Sequence, residues 1–115
     1  MAFQNTLFNV ALDAMAGVIT SISLHEADPG STGASEVSGG AYARQTPSWG
    51  AATAGSVGID TPAEFDIPGG STVAYVGLWS AGPQWEGSII LDNSEVYAGD
   101  GTFTLTQLSI TASNA

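Results

Sequence analysis

The sequence predicts a mainly β protein, an antiparallel β-sandwich of jelly-roll or Greek-key type with one short N-terminal helix. Short runs rich in β-branched and aromatic residues recur along the chain, and turns containing Gly or Pro separate them. A single segment, near the start, has the helical period instead. The chain has 115 residues, which fit one domain over 1–115 that needs neither disulfide nor metal to fold.

The helix is predicted over about 5–16. Asn5 or Thr6 can cap its first turn, and Gly17 is a residue type that commonly follows a last turn. The apolar residues at the spacing of one helical stripe are Leu7, Val10, Ala11, Ala14 and Met15. This spacing predicts an amphipathic helix.

After Gly17 the period changes from helical to two. Residues 18–26 alternate, with Ile22 and Leu24 on one face and Ser23 and His25 on the other, which predicts a half-buried strand. The next fourteen residues, 27–40, are rich in Gly and Ser. They are longer than most connections in a compact domain, which favours a functional or interface loop.

Further strands are predicted at short spacing. They cover residues 41–49, 56–60, 63–67, 72–80, 87–92 and 102–111, so that strands extend from 18 to 111. In the last of them Phe103 and Leu105 lie on one face, but Leu108 and Ile110 lie on the other. A regular strand cannot bury both pairs against one core, so we expect a bulge near 106–107 or a strand that passes from one sheet to another.

Composition excludes several classes of function. One Lys or Arg stands against eleven Asp and Glu, which gives a net charge of −10, and there is no Cys. Nucleic-acid binding through phosphates needs many cations, and thiolate catalysis or zinc–thiolate sites need Cys. No run approaches the roughly 18 apolar residues of a membrane span.

Charged residues make up 10% of the chain, and 56 residues are Gly, Ala, Ser or Thr. Such a surface is typical of a protein covered by its own copies or by a partner.

Two groups of residues contain side chains that can bind a metal ion or act as a catalytic acid or base. His25, Glu26 and Asp28 include the one His of the chain, whereas a mononuclear metal site or a catalytic triad needs three or four converging groups. The more economical interpretation is that His25 ends a strand and Asp28 bonds the amides of the Pro29-Gly30 turn. Residues 92–95 with Asp100 offer oxygen ligands, but their spacing does not match the calcium loop. We therefore expect no catalytic residue, no metal site and no cofactor.

The Trp and Tyr residues have two possible roles. They are Trp49, Trp79, Trp85, Tyr42, Tyr75 and Tyr97. Together they could form a sugar-stacking platform, but Tyr75 and Trp79 share a face of one predicted strand, as an inward-facing core pair does. Trp85 lies in a Gly-Pro turn and is the best candidate for an exposed aromatic that touches a partner.

Arg44 is the one fixed cation among eleven carboxylates. A guanidinium can hold one or two carboxylates in bidentate fashion. We therefore expect Arg44 to organise the 27–40 loop, with Glu36 or Asp28 as its partner. A contact between subunits is the alternative.

The run SLHEADPGSTGASEVSGGAYARQ, at 23–45, resembles a pattern of small phage virion structural proteins. In that pattern a strand ending in Leu-His leads to Ala-Asp-Pro-Gly, Thr-Gly, Glu-Val-Ser-Gly-Gly and Tyr-Ala-Arg. The Leu-rich opening helix and the strand Val76-Gly77-Leu78-Trp79 are similar to that family too. Here the helix is followed closely by its strand, where the family often has a longer loop. The resemblance implies a tail-fibre-like or minor capsid protein, with no chemistry attached to the motif.

These observations together predict a non-enzymatic bacteriophage virion protein, made in the host cytoplasm. We expect a capsid-decorating or minor capsid role, with a tail-associated or tail-fibre protein and a host-glycan-binding module as alternatives. The expected partners are copies of the chain itself, in a symmetric oligomer such as a trimer, and a phage capsid or tail protein. Neither nucleic acid nor membrane is expected to bind.

Overall fold

The computed structural model describes residues 3–112, which form one helix and seven strands. The elements are α1 (Asn5–Val18), β1 (Ile19–His25), β2 (Ser56–Gly58), β3 (Ala63–Ile67), β4 (Thr72–Ser80), β5 (Gln84–Val96), β6 (Gly101–Leu105) and β7 (Ser109–Thr111). The mainly β class with one N-terminal helix is therefore confirmed. Helix α1 does not combine the length and apolarity that crossing a bilayer requires, and no other helix occurs in 3–112.

The strands pair in antiparallel fashion in three sheets. One has the order β1-β4-β5, and the other two are the pairs β2-β7 and β3-β6. Apolar side chains of the larger sheet and of the β3-β6 pair meet in one core that includes Ile22, Val76 and Phe65. This is the sandwich-like packing that the alternating strands predict.

The end of the chain passes from one sheet to another. Strand β6 pairs with β3 through Leu105, and β7 pairs with β2 from Ser109 onwards. The three residues between them redirect the backbone, so that Leu105 and Leu108 are both buried in the same core. Of the two alternatives for this segment, the change of sheet is the one that occurs.

Two of the predicted strands need correction. Residues 41–49 form no continuous strand and contribute two isolated bridges, Gln45 to Ile22 and Trp49 to Ile59. Pro47 lies between them and has no N–H to donate to a strand ladder. Strand β5 extends from 84 to 96, well beyond the predicted 87–92, because it follows β4 along its whole length across two register shifts.

Helix α1 packs through a face other than its most regular apolar stripe. Leu12 and Ala16 are buried against Ala52 and Val57. The helix runs from Asn5 to Val18, with Gln4 at the N-cap position and no side-chain cap, so Gly17 lies inside its last turn. Apolar stripes of surface helices usually face the core, but here the whole predicted stripe is exposed, Met15 included. Its solvent-facing line continues to the end of the helix and consists of Leu7, Val10, Ala11, Ala14 and Val18. We call these five residues the outer stripe.

Candidate functional site

The two faces of β1 have different roles. Ile22 and Leu24 enter the core, whereas Ser23 and His25 lie on the opposite face and are fully buried as well. The cover over Ser23 and His25 comes from Trp79 of β4, from Trp85 of β5 and from the 27–45 segment. Residues far apart in sequence thus meet on one side of the larger sheet.

A chain of three hydrogen bonds links the buried polar side chains on this face. The Trp79 Nε1–H donates to Ser23 Oγ at 2.8 Å, and Ser23 Oγ lies 2.7 Å from His25 Nε2. His25 Nδ1 lies 2.8 Å from the carbonyl oxygen of Ala34. A carbonyl can only accept, so Nδ1 carries a proton, and in the neutral imidazole Nε2 accepts from the Ser23 hydroxyl. The polar side-chain atoms of Trp79, Ser23 and His25 therefore all have hydrogen-bond partners.

The Ser23–His25 pair has the spacing of a nucleophile and its base, but it cannot act as one. Both side chains are 0% exposed, so a substrate cannot reach either of them. The pair instead fixes the strand and holds the loop carbonyl at Ala34. Satisfied buried polar groups of this kind specify one arrangement of the chain.

The neighbours of His25 in sequence bind elsewhere. Glu26 accepts from the Thr72 N–H at 3.0 Å, and Asp28 Oδ1 accepts from the Gly30 N–H at 2.9 Å. The expected turn role of Asp28 is thus confirmed. In the part of the chain from 3 to 112, no group of three or more His, Cys, Asp or Glu side chains is placed to hold a metal ion.

Arg44 binds Glu36 with two hydrogen bonds. Its Nε donates to Glu36 Oε2 at 3.0 Å and its Nη2 donates to Oε1 at 2.8 Å. Tyr42 Oη donates to the same carboxylate at 2.8 Å and accepts from the Leu24 N–H at 2.9 Å. On its other side the guanidinium lies 3.8 Å from the centre of the Trp79 ring, a cation–π contact. We call Glu36, Tyr42, Arg44 and Trp79 the loop clamp.

The environment of the loop clamp shifts two acid–base equilibria. Burial raises the pKa of Glu36, but hydrogen bonds from Arg44 and Tyr42 and the guanidinium charge lower it by more, so the net pKa lies below its ordinary 4.5. Burial raises the pKa of Tyr42 above its ordinary 10, and the Glu36 carboxylate adds to that rise. At neutral pH the clamp therefore contains a charged Glu36 and a neutral Tyr42.

The predicted site residues separate into three locations. Arg44 and Glu36 are together, whereas Asp28 is in its own turn and not on Arg44. Trp85 is half-buried rather than exposed: its ring centre lies 5.0 Å from that of Trp79 and 5.4 Å from that of His25. That any of these four predicted site residues contacts a partner stays a prediction. Of the six Trp and Tyr residues, Trp79 is buried and the other five are half-buried.

The surface that sequence reasoning missed is the outer stripe of α1. Leu7, Val10 and Val18 are 53%, 68% and 53% exposed. Beside the stripe, a groove of about 360 Å³ separates the helix from the strands. Ile19, Leu78 and Ile110 line its far side together with Glu86, whose carboxylate accepts from the Ser80 hydroxyl at 2.6 Å. The helical spacing identified four of the five stripe residues, all except Val18, but only the packing of α1 shows that they face outward.

A family model described as podophage GP4 fiber I protein gp80 matches residues 3–111. The match covers α1 and all seven strands. No curated protein and no solved structure matches the chain.

Proposed function

The chain belongs to the podophage GP4 fiber I protein gp80 family, and from this premise we propose that it is a non-enzymatic structural component of a phage tail fibre. The extent of the match carries the proposal, because it takes in the whole described fold rather than one motif. It favours the tail-fibre alternative over the capsid-decorating or minor capsid role that the sequence alone suggested.

The covered face of the larger sheet, where Ser23 and Trp79 lie, supports a structural role. The loop clamp and the hydrogen-bond chain through Ser23 tie the long 27–45 segment to β1 and β4. Ser23 and His25 are side chains of the kinds that act in catalysis, but here both are buried and take part in these hydrogen bonds. Such a site joins a surface segment to the larger sheet, as a structural role requires.

The proposed partners are copies of the chain and a phage tail protein, in a virion assembled after synthesis in the host cytoplasm. A surface with few charges and many small residues supports close contact between proteins, and a symmetric oligomer such as a trimer is the expected form. The single cation of the chain gives no basis for contacts to nucleic-acid phosphates.

Immunogold electron microscopy of purified particles tests the proposal. Antibody raised against the folded protein should label the tail, and the intact chain should be found among the virion proteins by mass spectrometry. Gold over the capsid shell would instead support the decoration role. Absence of the chain from purified particles would overturn a structural function of either kind.

A further inference from the structure

The outer stripe is an apolar surface with no charge on it. Asp13 is the one charged residue of α1, and its carboxylate is directed to the opposite side, where it accepts from the Ala52 N–H at 2.8 Å. The stripe is continuous with the groove beside the helix, because Ala14 and Val18 line both. Helix and groove therefore form one surface.

The spacing within the stripe is that of a helix-packing seam. Residues 7, 11, 14 and 18 alternate steps of four and three, which is the spacing of the seam between packed helices. The two central positions are Ala11 and Ala14, and small residues there let a second helix approach closely. The surface that best complements such a seam is another helix with the same pattern.

We propose that the outer stripe is the self-association surface of this protein, and that its occupant is α1 of a second copy. The inference deepens the proposed function, which includes contact between copies, by locating that contact. Charge favours a copy over a partner of strong charge, because the stripe carries no charged side chain that could attract such a partner. The one carboxylate of the adjoining groove, Glu86, is hydrogen-bonded by Ser80. The one cation, Arg44, is already engaged by Glu36 on β1's outer side.

The available area suits a contact of moderate strength. Leu7, Val10 and Val18 of the stripe and Met15 of the adjoining groove each leave about half or more of their surface in solvent. Together they expose on the order of 400 Å², which is in the range of functional patches. A contact between two copies that includes the alanines and the groove rims would bury about 1,000 Å² of surface in total. That area is the lower bound of specific interfaces. We therefore expect association in the micromolar range.

Sedimentation velocity over a wide range of concentration tests the inference. The wild-type protein should sediment above its monomer mass of 11.6 kDa. The triple variant Leu7→Gln/Val10→Gln/Val18→Gln should associate at least about 100-fold more weakly, because three buried apolar contacts are lost. Gln has a high helix propensity, so circular dichroism should show α1 intact.

The matched control removes equally exposed apolar groups elsewhere. Ile90 and Val96 on β5 are 66% and 77% exposed, and the variant Ile90→Gln/Val96→Gln should associate like the wild type. A wild-type protein that stays monomeric at its highest concentration would overturn the inference. So would a triple variant that associates normally, or a control variant that does not.

Cross-linking through introduced cysteines gives the arrangement of the helices. The chain has no Cys, so Leu7→Cys, Ala14→Cys and Val18→Cys each place one thiol on the stripe. A disulfide needs Cα atoms about 4.4–6.8 Å apart. Parallel helices should cross-link at all three positions, and antiparallel helices at Ala14→Cys most strongly. Cross-linking no faster than that of Thr104→Cys, an exposed site on β6, would reject the stripe as the contact.

The two tests separate the inference from the proposed function. Tail labelling of particles decides the function and does not depend on α1. Loss of self-association in the control variant, together with normal tail labelling, would reject the stripe and leave the fibre role in place.

Discussion

Arg44 contributes two hydrogen bonds and a cation–π contact to the loop clamp, so its removal should have a measurable cost. The Arg44→Ala variant loses a bidentate ion pair and a cation–π contact. Its side chain is 31% exposed and that of Glu36 is 22% exposed, so the cost lies between those of surface and buried pairs. We expect the free energy of unfolding to fall by about 1–2 kcal/mol, measured by thermal and urea denaturation.

The conservative replacement gives the control for Arg44. Arg44→Lys keeps the charge but cannot form the planar two-pronged contact, so it should restore only part of the loss. An Arg44→Ala protein with unchanged melting and unchanged incorporation into particles would show that Arg44 is a solvated surface charge with no part in the loop.

Glu36 should make stability depend on pH in the acid range. Its folded pKa lies below the ordinary 4.5, so its contribution is fully present above pH 4.5 and is lost as the pH falls through the folded pKa. The Glu36→Gln variant lacks this contribution at every pH. Its difference in Tm from the wild type should therefore be largest near pH 7 and shrink below pH 4.5. Glu64→Gln, at an exposed position on β3, is the control for removal of one carboxylate. A loss of Tm at pH 7 as large as that of Glu36→Gln would contradict the role of Glu36.

Gly77 is required by its buried neighbours. A Cβ built there meets Ser23 Oγ, lies 2.6 Å from His25 Nε2 and lies 2.7 Å from a Trp85 ring carbon. Alanine is otherwise preferred over glycine in a strand, so a loss of stability must come from these contacts. We expect Gly77→Ala to lower the free energy of unfolding by about 2–3 kcal/mol or more in urea titrations. Gly99→Ala, where a Cβ meets nothing, should change it by less than about 0.5 kcal/mol. Equal effects would contradict the packing around Gly77.

The pairing of Arg44 was predictable only in part. One cation among eleven carboxylates makes an ion pair in the loop expected, but the choice between Glu36 and Asp28 depends on the backbone. The bridge between His25 and Glu36 brings that carboxylate to β1, and Asp28 is held in its own turn. The stacking of Arg44 on Trp79 joins residues 35 positions apart, which no local pattern reveals.

At the scale of elements, α1 shows why periodicity alone does not assign a buried face. The helix is apolar around most of its circumference, so two stripes compete for the core. Two polar residues decide between them: Asn9 and Asp13 accept from the Gly55 and Ala52 N–H groups at 3.0 and 2.8 Å. Polar residues that usually mark an outer face here anchor the inner one.

Removal of the Asp13 anchor should therefore destabilise the attachment of α1. In Asp13→Ala the Ala52 N–H loses its partner in a half-buried place, which costs about 1–3 kcal/mol. Hydrogen exchange should increase in α1 before it increases in β1 and β4, because those strands belong to a separate buried cluster. Asp92→Ala, at an exposed site on β5, serves as the control. Exchange that rises equally in all elements would mean that α1 is not a separate unit of stability.

The last strands show the opposite case, in which a sequence irregularity did indicate the structure. The exchange of faces between Leu105 and Leu108 is incompatible with one regular strand and follows directly from the alternation of side chains. Which sheet each half joins was not predictable, because β2 and β3 offer similar short edges. Pairing with the correct one depends on the packing of Leu105 and Leu108 in the core.

At the scale of the whole molecule, the charge of −10 opposes any association of copies. The helix seam brings neutral surfaces together, but the carboxylates of two copies still repel each other over a Debye length, about 10 Å at 0.1 M salt and about 3 Å at 1 M. The dissociation constant of the isolated protein should therefore fall as NaCl is raised from 0.05 to 0.5 M, by about threefold to tenfold in sedimentation equilibrium.

The same titration distinguishes the alternative in which Arg44 lies between subunits. Salt would weaken an interface that depended on that ion pair, so affinity that decreases with salt would place Arg44 in the contact and reject the neutral seam. An affinity that stays constant would show that the carboxylates lie too far from the contact for their repulsion to act.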